Sequence, residues 1–371
     1  MKILVDLSVL EIPATGVARV VTGLYGAIAH GFPGIALHGV HRRMLTSNPP
    51  EGMRSDRIGR LFTPGLWRRY ALPLAALRAR GSFLHFPWNG GVPRLPRGVR
   101  VVTTMHDVLP LTIPGFFGDS ERENRYRADR QADIDRTDLL VTDSEFSKRE
   151  IERHFLLRRE PVVVPCATSI ADFLPGPGPE EKKYFLYVGG LTPRKSVDSL
   201  LRVFYRLSAG GTLHARLIVA GSTRHAPPAL LALLDEGLRR GCVELPGYVD
   251  DRALAALYAG AIALVYPSPY EGFGLLPLEA MTIGCPVITC RATSIPEVCG
   301  DAALYVDPWS DQGLAEALMT FENDREIRER FSKAGLRRAA AYTWVRSAEL
   351  FVQALQRCTP EAGDLTPNVV P

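Results

Sequence analysis

Residues 269–280 contain two glutamates, Glu271 and Glu279, separated by a turn that holds two glycines. The first glutamate follows a predicted strand, and the second falls in the first turn of a predicted helix. Glycines in such a turn let backbone N–H groups approach a ligand closely, and the start of a helix behind them suits a phosphate group. The two carboxylates can accept hydrogen bonds from sugar hydroxyls. This stretch therefore predicts a site for a sugar that carries phosphate.

Residues 187–195 hold a second candidate group, again between a predicted strand and a predicted helix. Gly189 and Gly190 come first, followed by Arg194 and Lys195. Arginine as a bidentate fork and lysine as a point charge can together neutralise a pyrophosphate. The stretch has neither the G-x-G-x-x-G pattern nor a Walker A sequence, which counts against a dehydrogenase or a nucleoside triphosphatase.

His106 and Asp107 follow a predicted strand in the first half of the chain. The imidazole can donate to, or polarise, a reacting sugar, and Asp107 can orient the ring. Closer to the N-terminus, Gly16 and Val17 lie in the turn after the first predicted strand. Their backbone can contact a phosphate or a sugar.

Three other polar groups have simpler interpretations. Residues 142–147 are typical of a strand end followed by a capped helix start, and capping is favoured over a catalytic role. Asp133 and Asp135 resemble a metal-binding pair, but residues two apart on a helix point to different faces. A metal-binding role is likewise not expected for Asp250 and Asp251. The sequence predicts no metal site.

The elements that position these residues alternate between strand and helix in both halves of the chain, as in parallel α/β sheets. Proline and glycine at 174–183 exclude a helix or central strand and indicate a linker. We expect two doubly wound domains with a ligand cleft between them. The predicted strands are 2–7, 82–86, 100–105, 138–142, 161–164, 184–188, 215–220, 242–245, 261–266 and 286–289, and the predicted helices include 229–240, 251–259, 277–283, 324–341 and 344–357.

The composition is that of an ordinary soluble protein, with 371 residues, 46% hydrophobic and 23% charged. No stretch approaches the roughly 18 consecutive apolar residues that a membrane span needs. Asp6 lies where a signal peptide would have its apolar core. The six cysteines are scattered and show no metal-ligand spacing. We therefore expect a cytoplasmic protein with reduced cysteines.

Residues 54–80, which we call the arginine-rich segment, carry seven arginines against one acidic residue, Asp56, with leucine and aromatic residues between them. Arginine with tryptophan and leucine is typical of a segment that lies on an anionic lipid surface. The other interpretation is a solvated pair of surface helices in an arginine-rich protein, and both stay open. No nucleic-acid-binding motif accompanies the segment, so we expect no nucleic-acid partner.

In chain order, and over about residues 1–350, these motifs resemble those of the family 4 retaining glycosyltransferases. The resemblance implies the GT-B fold, two Rossmann-like domains with the active site between them, and no required metal or other cofactor. It implies an acceptor-side domain at 1–175, a nucleotide-sugar domain at 176–343 and a helix at 344–358 that returns to the first domain. The sequence of residues 359–371 itself predicts a disordered tail. The motifs that carry the resemblance are 188–195, 269–280, 294–303, 142–147 and the His106–Asp107 pair.

The same resemblance implies a role for each site residue. Glu271 would bind hydroxyls of the donor sugar, and Glu279 would bind those of the ribose. Arg194 and Lys195 would stabilise the leaving diphosphate in place of a metal ion, and His106 would contact the donor sugar. The catalytic residues would thus be His106, Glu271, Arg194 and Lys195. Gly16 would close over the donor, and Gly247, Tyr248 and Val249 would line the pocket for the nucleotide base. The other donor-binding residues would be Val17, Asp107, Gly189, Gly190, Arg194, Lys195, Glu271, Gly272, Phe273, Gly274, Leu275, Leu276 and Glu279.

Among members of this family, the motifs look most like those of bacterial mannosyl- and rhamnosyltransferases of surface-polysaccharide assembly. We expect a retaining hexosyltransferase that moves mannose or a deoxymannose from a GDP-linked donor to a lipid-linked glycan. The expected setting is lipopolysaccharide O-antigen or exopolysaccharide synthesis at the inner face of the plasma membrane, with the arginine-rich segment as a peripheral contact. The alternatives are a UDP-sugar-dependent transferase of the same fold, a sugar-nucleotide epimerase or hydrolase, and a non-catalytic binder of sugar nucleotides.

Overall fold

The computed structural model describes residues 1–12, 16–78, 83–96, 98–173, 176, 182–224 and 226–358. Its contacts divide the chain into two compact units. Unit 1 consists of Met1–Cys166 and the segment that begins at Trp344, and unit 2 consists of Ala167–Thr343. The boundary predicted from the sequence is at 175, whereas the first part of unit 1 ends at Cys166. The predicted tail at 359–371 and most of the predicted linker lie outside the described residues.

Unit 1 is built on a seven-stranded parallel sheet with the strand order β3-β2-β1-β4-β5-β6-β7. The chain order reverses between β1 and β4, which makes the gap beyond their carboxyl ends a topological switch point. The strands are β1 (Lys2–Asp6), β2 (Ala36–His41), β3 (Arg54–Arg57), β4 (Phe83–Phe86), β5 (Arg100–Thr104), β6 (Leu139–Thr142) and β7 (Val162–Val163), and the helices are α1 (Gly16–Gly31), α2 (Pro64–Leu66), α3 (Leu72–Arg78), α4 (Leu109–Thr112), α5 (Ser120–Asp135) and α6 (Glu145–His154).

Unit 2 is built on a six-stranded parallel sheet with the order β10-β9-β8-β11-β12-β13, and its switch point lies between β8 and β11. The predicted class, two doubly wound parallel-sheet domains, is confirmed. The strands are β8 (Tyr184–Val188), β9 (Arg216–Ala220), β10 (Val243–Gly247), β11 (Ala261–Tyr266), β12 (Val287–Cys290) and β13 (Leu304–Val306), and the helices are α7 (Val197–Ala209), α8 (Pro228–Arg239), α9 (Asp251–Gly260), α10 (Leu275–Thr282), α11 (Ile295–Cys299), α12 (Asp311–Asn323) and α13 (Arg325–Ala339).

The last helix, α14 (Trp344–Arg357), belongs to unit 1 and packs along α1. A Cβ atom at Gly23 of α1 would lie 2.1 Å from the Trp344 ring, so only glycine leaves room for the indole there. Ser347 donates a hydrogen bond to the Pro165 carbonyl at 2.6 Å, and Phe351 is fully buried in the core of the unit. The contacts of α14 within unit 1 are therefore both apolar and polar.

The arginine-rich segment forms β3 and then a helical stretch in which α2, a π-helical turn at Trp67–Ala71 and α3 follow one another. One face of this stretch is buried, with Trp67 only 1% exposed and Leu72 not exposed at all. The opposite face is also apolar, although it meets solvent: Phe62, Leu66, Tyr70, Leu74 and Leu77 are between 39% and 56% exposed. No helix in the described ranges combines the length and the apolar composition that a membrane-spanning segment requires.

Candidate active site

The candidate site in unit 2 lies at the switch point of its sheet. The chain leaves β8, passes the glycine pair and forms a 3-10 turn at Pro193–Lys195, which presents Arg194 and Lys195. The chain leaves β11 and reaches Glu271 five residues later. Because the carboxyl ends of β8 and β11 are neighbours, two sequence-distant motifs meet there.

Glu271 Oε1 is the point on which the site converges. It accepts hydrogen bonds from the Tyr266 hydroxyl and the Ser268 hydroxyl, each at 2.7 Å. It also lies 3.4 Å from Arg194 Nη1 and 3.7 Å from Lys195 Nζ. Among the described residues, Oε2 has no recorded partner, so one oxygen of Glu271 is held by the protein and the other is available to a ligand.

Lys195 is buried beside this carboxylate, with 8% of the residue exposed, and its Nζ donates to the Tyr266 hydroxyl at 2.6 Å. Burial lowers the pKa of Lys195, although the Glu271 carboxylate opposes that shift. Burial alone would raise the pKa of Glu271, but the two cations and the two hydroxyl donors outweigh it and hold the pKa below its ordinary value. The carboxylate is therefore ionised at neutral pH.

Arg194 is anchored at one end only. Its Nη1 donates to the Tyr270 carbonyl at 2.7 Å, while about a third of the side chain remains exposed. In the same loop, the buried hydroxyl of Thr192 has no hydrogen-bond partner among the described residues. A buried donor without an acceptor is costly. The Thr192 hydroxyl, which precedes the two cations in this loop, can therefore donate a hydrogen bond to a ligand.

The loop that carries Glu271 is fixed by the loop after β12. The Glu271 amide donates to Thr293 Oγ1 at 3.1 Å, and Ser294 Oγ donates to the Glu271 carbonyl at 2.7 Å. Thr293 has a φ of 51°, which is unusual for a β-branched residue. The sequence alone predicts no role for Tyr266, Ser268 or Thr293, and Ser294 enters the prediction only as part of the 294–303 motif.

Two glycines at the site have a positive φ that their positions require. Gly189 has a φ of 128°, and a Cβ there would lie 3.1 Å from Lys195 Nζ. Gly274 has a φ of 116° and precedes α10, where a Cβ would lie 3.0 Å from Ile295. The helix begins at Leu275, with Gly274 as its N-cap, which is two residues before the predicted start at 277.

The remaining donor-binding residues predicted in unit 2 are placed as follows. Glu279 is 1% exposed and accepts a hydrogen bond from the Tyr258 hydroxyl at 3.2 Å. Phe273 is also buried, and its ring packs edge-on against Tyr342. Gly190 accepts a hydrogen bond from the Tyr187 hydroxyl at 3.2 Å. Their roles toward a donor stay predictions.

Residues 247–249, predicted to line the base pocket, begin at the last residue of the edge strand β10. The Gly247 carbonyl accepts from the Gly221 amide at 2.9 Å, and Gly247 has a φ of 76°. Tyr248 is 63% exposed. Gly272 lies in the loop before α10, and Leu276 lies in the first turn of that helix. A Cβ atom added at Gly189 would contact the Leu276 side chain. Contact of these residues with a nucleotide stays a prediction.

In unit 1, both ring nitrogens of His106 contact protein acceptors. Nδ1 lies 2.6 Å from Asp143 Oδ2, and Nε2 lies 3.1 Å from the Pro87 carbonyl oxygen. A carboxylate and a carbonyl can only accept, so the ring must donate at both nitrogens and is protonated. Burial disfavours this charge, but Asp143 and Pro87 outweigh it and raise the pKa of His106 to about 9. The orienting carboxylate is Asp143, and the assignment of that role to Asp107 was wrong.

Asn89 holds the backbone around His106. Its Oδ1 accepts from the His106 amide at 2.7 Å, and its Nδ2 donates to the Asp107 carbonyl at 2.8 Å. Asp107 Oδ1 accepts from the Leu109 amide at 3.2 Å. Gly16 begins α1, and residues 13–15 lie outside the described residues. Contact of His106 with a donor stays a prediction.

The other polar groups have structural roles. Ser144 caps α6 by accepting from the Ser147 amide at 3.0 Å, which confirms capping within residues 142–147. The Asp133 carboxylate accepts from the Val92 amide at 2.8 Å and pairs with Arg130 at 2.9 Å. Asp250 caps α9. Within the described ranges, no three His, Cys, Asp or Glu side chains are grouped to hold a metal ion.

Residues 173–338 match the family "Glycosyl transferases group 1". The chain is 33% identical to O-antigen chain mannosyltransferase B of Escherichia coli, over 72% of this chain and 73% of that protein. It is 29% identical to O-antigen chain mannosyltransferase RfbU of Salmonella typhimurium, over 62% of this chain and 63% of that protein. Sucrose-phosphate synthase of Thermosynechococcus elongatus superposes with a TM-score of 0.75 at 20% identity, over 96% of this chain and 98% of that one, which shows the GT-B fold. The chain therefore belongs to the group 1 family of glycosyltransferases.

Proposed function

We propose that this glycosyltransferase moves mannose, or a deoxymannose, from a GDP-linked donor to a glycan acceptor, with retention of configuration. Two relatives whose names describe O-antigen chain mannosyltransferases support the sugar and the setting, lipopolysaccharide O-antigen or exopolysaccharide synthesis. The observation that carries the proposal is the convergence of Arg194 and Lys195 on Glu271 at the switch point of unit 2.

The two cations act on the leaving group. Transfer breaks the bond between the anomeric carbon and a diphosphate oxygen, so negative charge develops on the diphosphate. Cations that are already in position stabilise this charge without reorganisation during the reaction. Arg194 is anchored through Tyr270 and Lys195 through the Tyr266 hydroxyl, so both are held in place before a donor binds. In this proposal they supply the positive charge, and no metal ion or other cofactor is required.

Glu271 positions the sugar. Its Oε1 is held by Tyr266 and Ser268, so Oε2 can accept a hydrogen bond from a donor hydroxyl without the carboxylate turning. Since the pKa of Glu271 is lowered by the cations around it, the carboxylate stays ionised and remains an acceptor at neutral pH. An ionised carboxylate fixed by its neighbours orients the substrate at low entropic cost.

Retention follows in this proposal from attack on the same face that the diphosphate leaves. The acceptor hydroxyl attacks the anomeric carbon as the bond to the diphosphate oxygen breaks, and the departing phosphate takes the hydroxyl proton. The cations at Arg194 and Lys195 keep the departing diphosphate close to that face.

Nucleotide preference and product analysis test the proposal. We expect GDP to raise the melting temperature more than UDP or ADP at the same concentration, because selective binding to the folded state stabilises it by mass action. With GDP-mannose and a glycan acceptor, NMR of the product should show the same anomeric configuration as the donor, and chelator should not reduce the rate. A shift with UDP alone would overturn the GDP-linked donor, and donor turnover without acceptor would favour an epimerase or hydrolase.

Variants of the two charged groups test the site itself. Lys195→Ala and Glu271→Gln should abolish transfer while leaving the unfolding transition in place. The matched controls are Lys333→Ala and Glu326→Gln, both on the exposed surface of α13. A Lys195→Ala variant that keeps most of its activity would refute the assignment of this site.

We also propose that the arginine-rich segment rests on an anionic membrane, which places the enzyme peripherally on the inner face of the plasma membrane, beside a lipid-linked acceptor. A solvated surface helix would turn polar groups outward, whereas here Leu66, Tyr70 and Leu74 are about half exposed. Arg60 and Arg69 are exposed on the same segment. Apolar side chains that insert between lipids, flanked by arginines that meet anionic headgroups, are the two attractions such a surface needs.

A further inference from the structure

A pocket of about 390 Å³ lies at the carboxyl end of the sheet of unit 1. Ser8 and Glu11 enter it from the loop after β1, Arg42 and Arg43 follow β2, and Trp88 follows β4. It therefore occupies the switch point between β1 and β4, the position at which doubly wound sheets bind ligands. The roles predicted from the sequence include only Val17 among its lining residues.

The charge on the pocket wall is positive. Three arginines line it, Arg42, Arg43 and Arg68, against the single carboxylate of Glu11. Oε1 of Glu11 accepts from the backbone amides of Arg42 and Arg43, at 2.6 Å and 2.8 Å. The carboxylate therefore fixes the loop after β2, and its closest approach to the Arg42 guanidinium is 3.9 Å.

Two guanidinium groups on this wall can meet a ligand. Among the described residues, the guanidinium groups of Arg43 and Arg68 make no hydrogen bond or ion pair. Arg68 lies over the Trp88 ring, 4.3 Å from its centroid. The buried Trp88 Nε1 and Ser8 Oγ have no partner within hydrogen-bond distance, and both face the Asp6 carboxylate. The two arginines match a ligand with acceptor oxygens, and arginine favours phosphate in particular.

The buried carboxylate of Asp6 would repel an anion bound in this pocket. Asp6 is fully buried at the end of β1, and its Oδ2 has no partner within hydrogen-bond distance. Burial raises the pKa of Asp6, while Ser8, Arg68 and Trp88 lower it. Asp6 is not part of the pocket wall, and the three arginines outnumber the carboxylates of Asp6 and Glu11. The net charge around the pocket stays positive.

The pocket is continuous with the arginine-rich segment, because Pro64, Trp67 and Arg68 belong to both. The outward face of that segment is apolar, as described above. Trp67 and Trp88 give the wall an apolar part beside the arginines, which suits an ester better than a free ion.

We propose that this pocket binds a phosphate ester, and that in the reaction it holds the phosphate through which the acceptor glycan is joined to its lipid. The lipid assignment rests on the proposed function, whereas the binding of a phosphate ester does not. A soluble sugar phosphate is the other source of the same chemistry. Arg43 and Arg68 bind the phosphate oxygens, and Trp88 contacts the ester.

Binding can be measured without any donor, through the fluorescence of the tryptophans that line the pocket. The probes are octyl phosphate below its micelle concentration, inorganic phosphate, mannose 1-phosphate, and octyl glucoside as a neutral amphiphile with the same chain. A Trp88→Phe variant assigns the signal to the pocket. We expect octyl phosphate to bind most tightly and octyl glucoside to give no saturable change.

Arginine variants then identify the site. Arg43→Gln and Arg68→Gln should each weaken octyl phosphate binding about tenfold or more, since each loses a charge-assisted contact. Arg43 is exposed, so its replacement does not endanger folding, and Arg68→Lys should restore part of the affinity that Arg68→Gln loses. Arg54→Gln, which removes an exposed charge of the same segment outside the pocket, should bind like the wild type.

The outcomes separate this inference from the proposed function. Equal binding by Arg43→Gln and the wild type, or saturable binding of octyl glucoside, would overturn the phosphate site. Tighter binding of mannose 1-phosphate than of octyl phosphate would overturn the lipid source and keep the phosphate ester. If Lys195→Ala abolishes transfer but not octyl phosphate binding, the donor and phosphate sites are distinct. If GDP-mannose is never used and Arg43 is still needed for binding, the proposed function fails and the pocket stands.

Discussion

Lys195 and Glu271 are 76 positions apart in the chain, and their charged groups lie 3.7 Å from each other. The Tyr266 hydroxyl lies between them, accepting from Lys195 at 2.6 Å and donating to Glu271 at 2.7 Å. The tyrosine thus holds both charged groups, which are also close enough to form an ion pair with each other. A site arranged in this way has its cation and its carboxylate in position before a ligand binds.

Replacing Tyr266 with phenylalanine should therefore reduce transfer without unfolding the protein. The hydroxyl makes hydrogen bonds to two charged groups, and such bonds contribute about 1.5–3 kcal/mol each. We expect kcat to fall roughly 10- to 100-fold, with a smaller change in the KM for the donor. Tyr305→Phe is the matched control, because its hydroxyl donates to the Gly300 carbonyl away from the site. Equal kcat values for the two variants would show that the Tyr266 hydroxyl does not position the charges.

Gly189→Ala tests the space around Lys195. A Cβ at position 189 would lie 3.1 Å from Nζ, and the φ of 128° strains any L-residue. We expect a loss of at least about 1 kcal/mol in the free energy of unfolding, together with weaker nucleotide binding in thermal shifts. Gly211→Ala is the control, because Gly211 also has a positive φ, 65°, but no atom would lie within 4 Å of a Cβ added there. This control should lose stability and keep nucleotide binding, and weaker nucleotide binding in both variants would contradict the steric argument.

The residues that follow long buried strands are those that the sequence predicts well. Strand β11 was predicted at 261–266, the bounds that the structure shows, so Glu271 could be placed at a strand end. Tyr266 was missed because its ring is buried and a tyrosine at the end of an apolar run is typical of a core residue. Only the position of its hydroxyl shows the role, and sequence periodicity does not report that position.

The partner of His106 could not be predicted for a different reason. Asp107 is its neighbour in sequence, whereas Asp143 follows β6, which pairs with β5 in the sheet. Strand neighbours in a parallel sheet are set by tertiary pairing, which spacing along one chain does not contain. Strands β2, β3 and β13 were missed. Histidine and glycine interrupt the apolar residues of β2, β3 is a polar edge strand, and β13 has three residues. None of them shows the apolar run on which a strand prediction depends.

The arginine-rich segment should bind anionic vesicles through two separable attractions. Arg60→Gln with Arg69→Gln should weaken binding to phosphatidylglycerol vesicles by about 1 kcal/mol for each arginine, and added salt should reduce the difference. Leu66→Ser with Leu74→Ser should weaken binding at every salt concentration, because it removes apolar area. Vesicle co-sedimentation measures both.

Two controls make the vesicle result specific to this segment. Leu156→Ser removes an exposed leucine elsewhere in unit 1, where that side chain is 83% exposed, and Arg122→Gln removes an exposed arginine of α5. Both should sediment with vesicles like the wild type. If the leucine and arginine variants of the segment also sediment like the wild type, the segment does not contact the membrane. Transfer to a soluble acceptor should be the same in all of them.

The His106–Asp143 pair should make stability depend on pH in the alkaline range. The folded pKa of His106 is about 9, above the ordinary value of 6.5, so the protonated ring stabilises the fold fully below pH 6.5. That contribution is lost as the pH rises through 9. His85 also faces His106, but its pKa is lowered to about 3 by burial and by the charge of His106, so it stays neutral throughout this range.

Asp143→Asn should remove this dependence. With each pKa unit equivalent to about 1.4 kcal/mol, we expect the variant to be less stable than the wild type by roughly 3 kcal/mol at pH 6 and by much less at pH 10. Urea unfolding between those pH values measures the difference. Asp107→Asn, which leaves the Asp143 contact in place, should keep most of the wild-type dependence. A constant stability difference between wild type and Asp143→Asn across the range would mean that Asp143 does not hold the ring protonated.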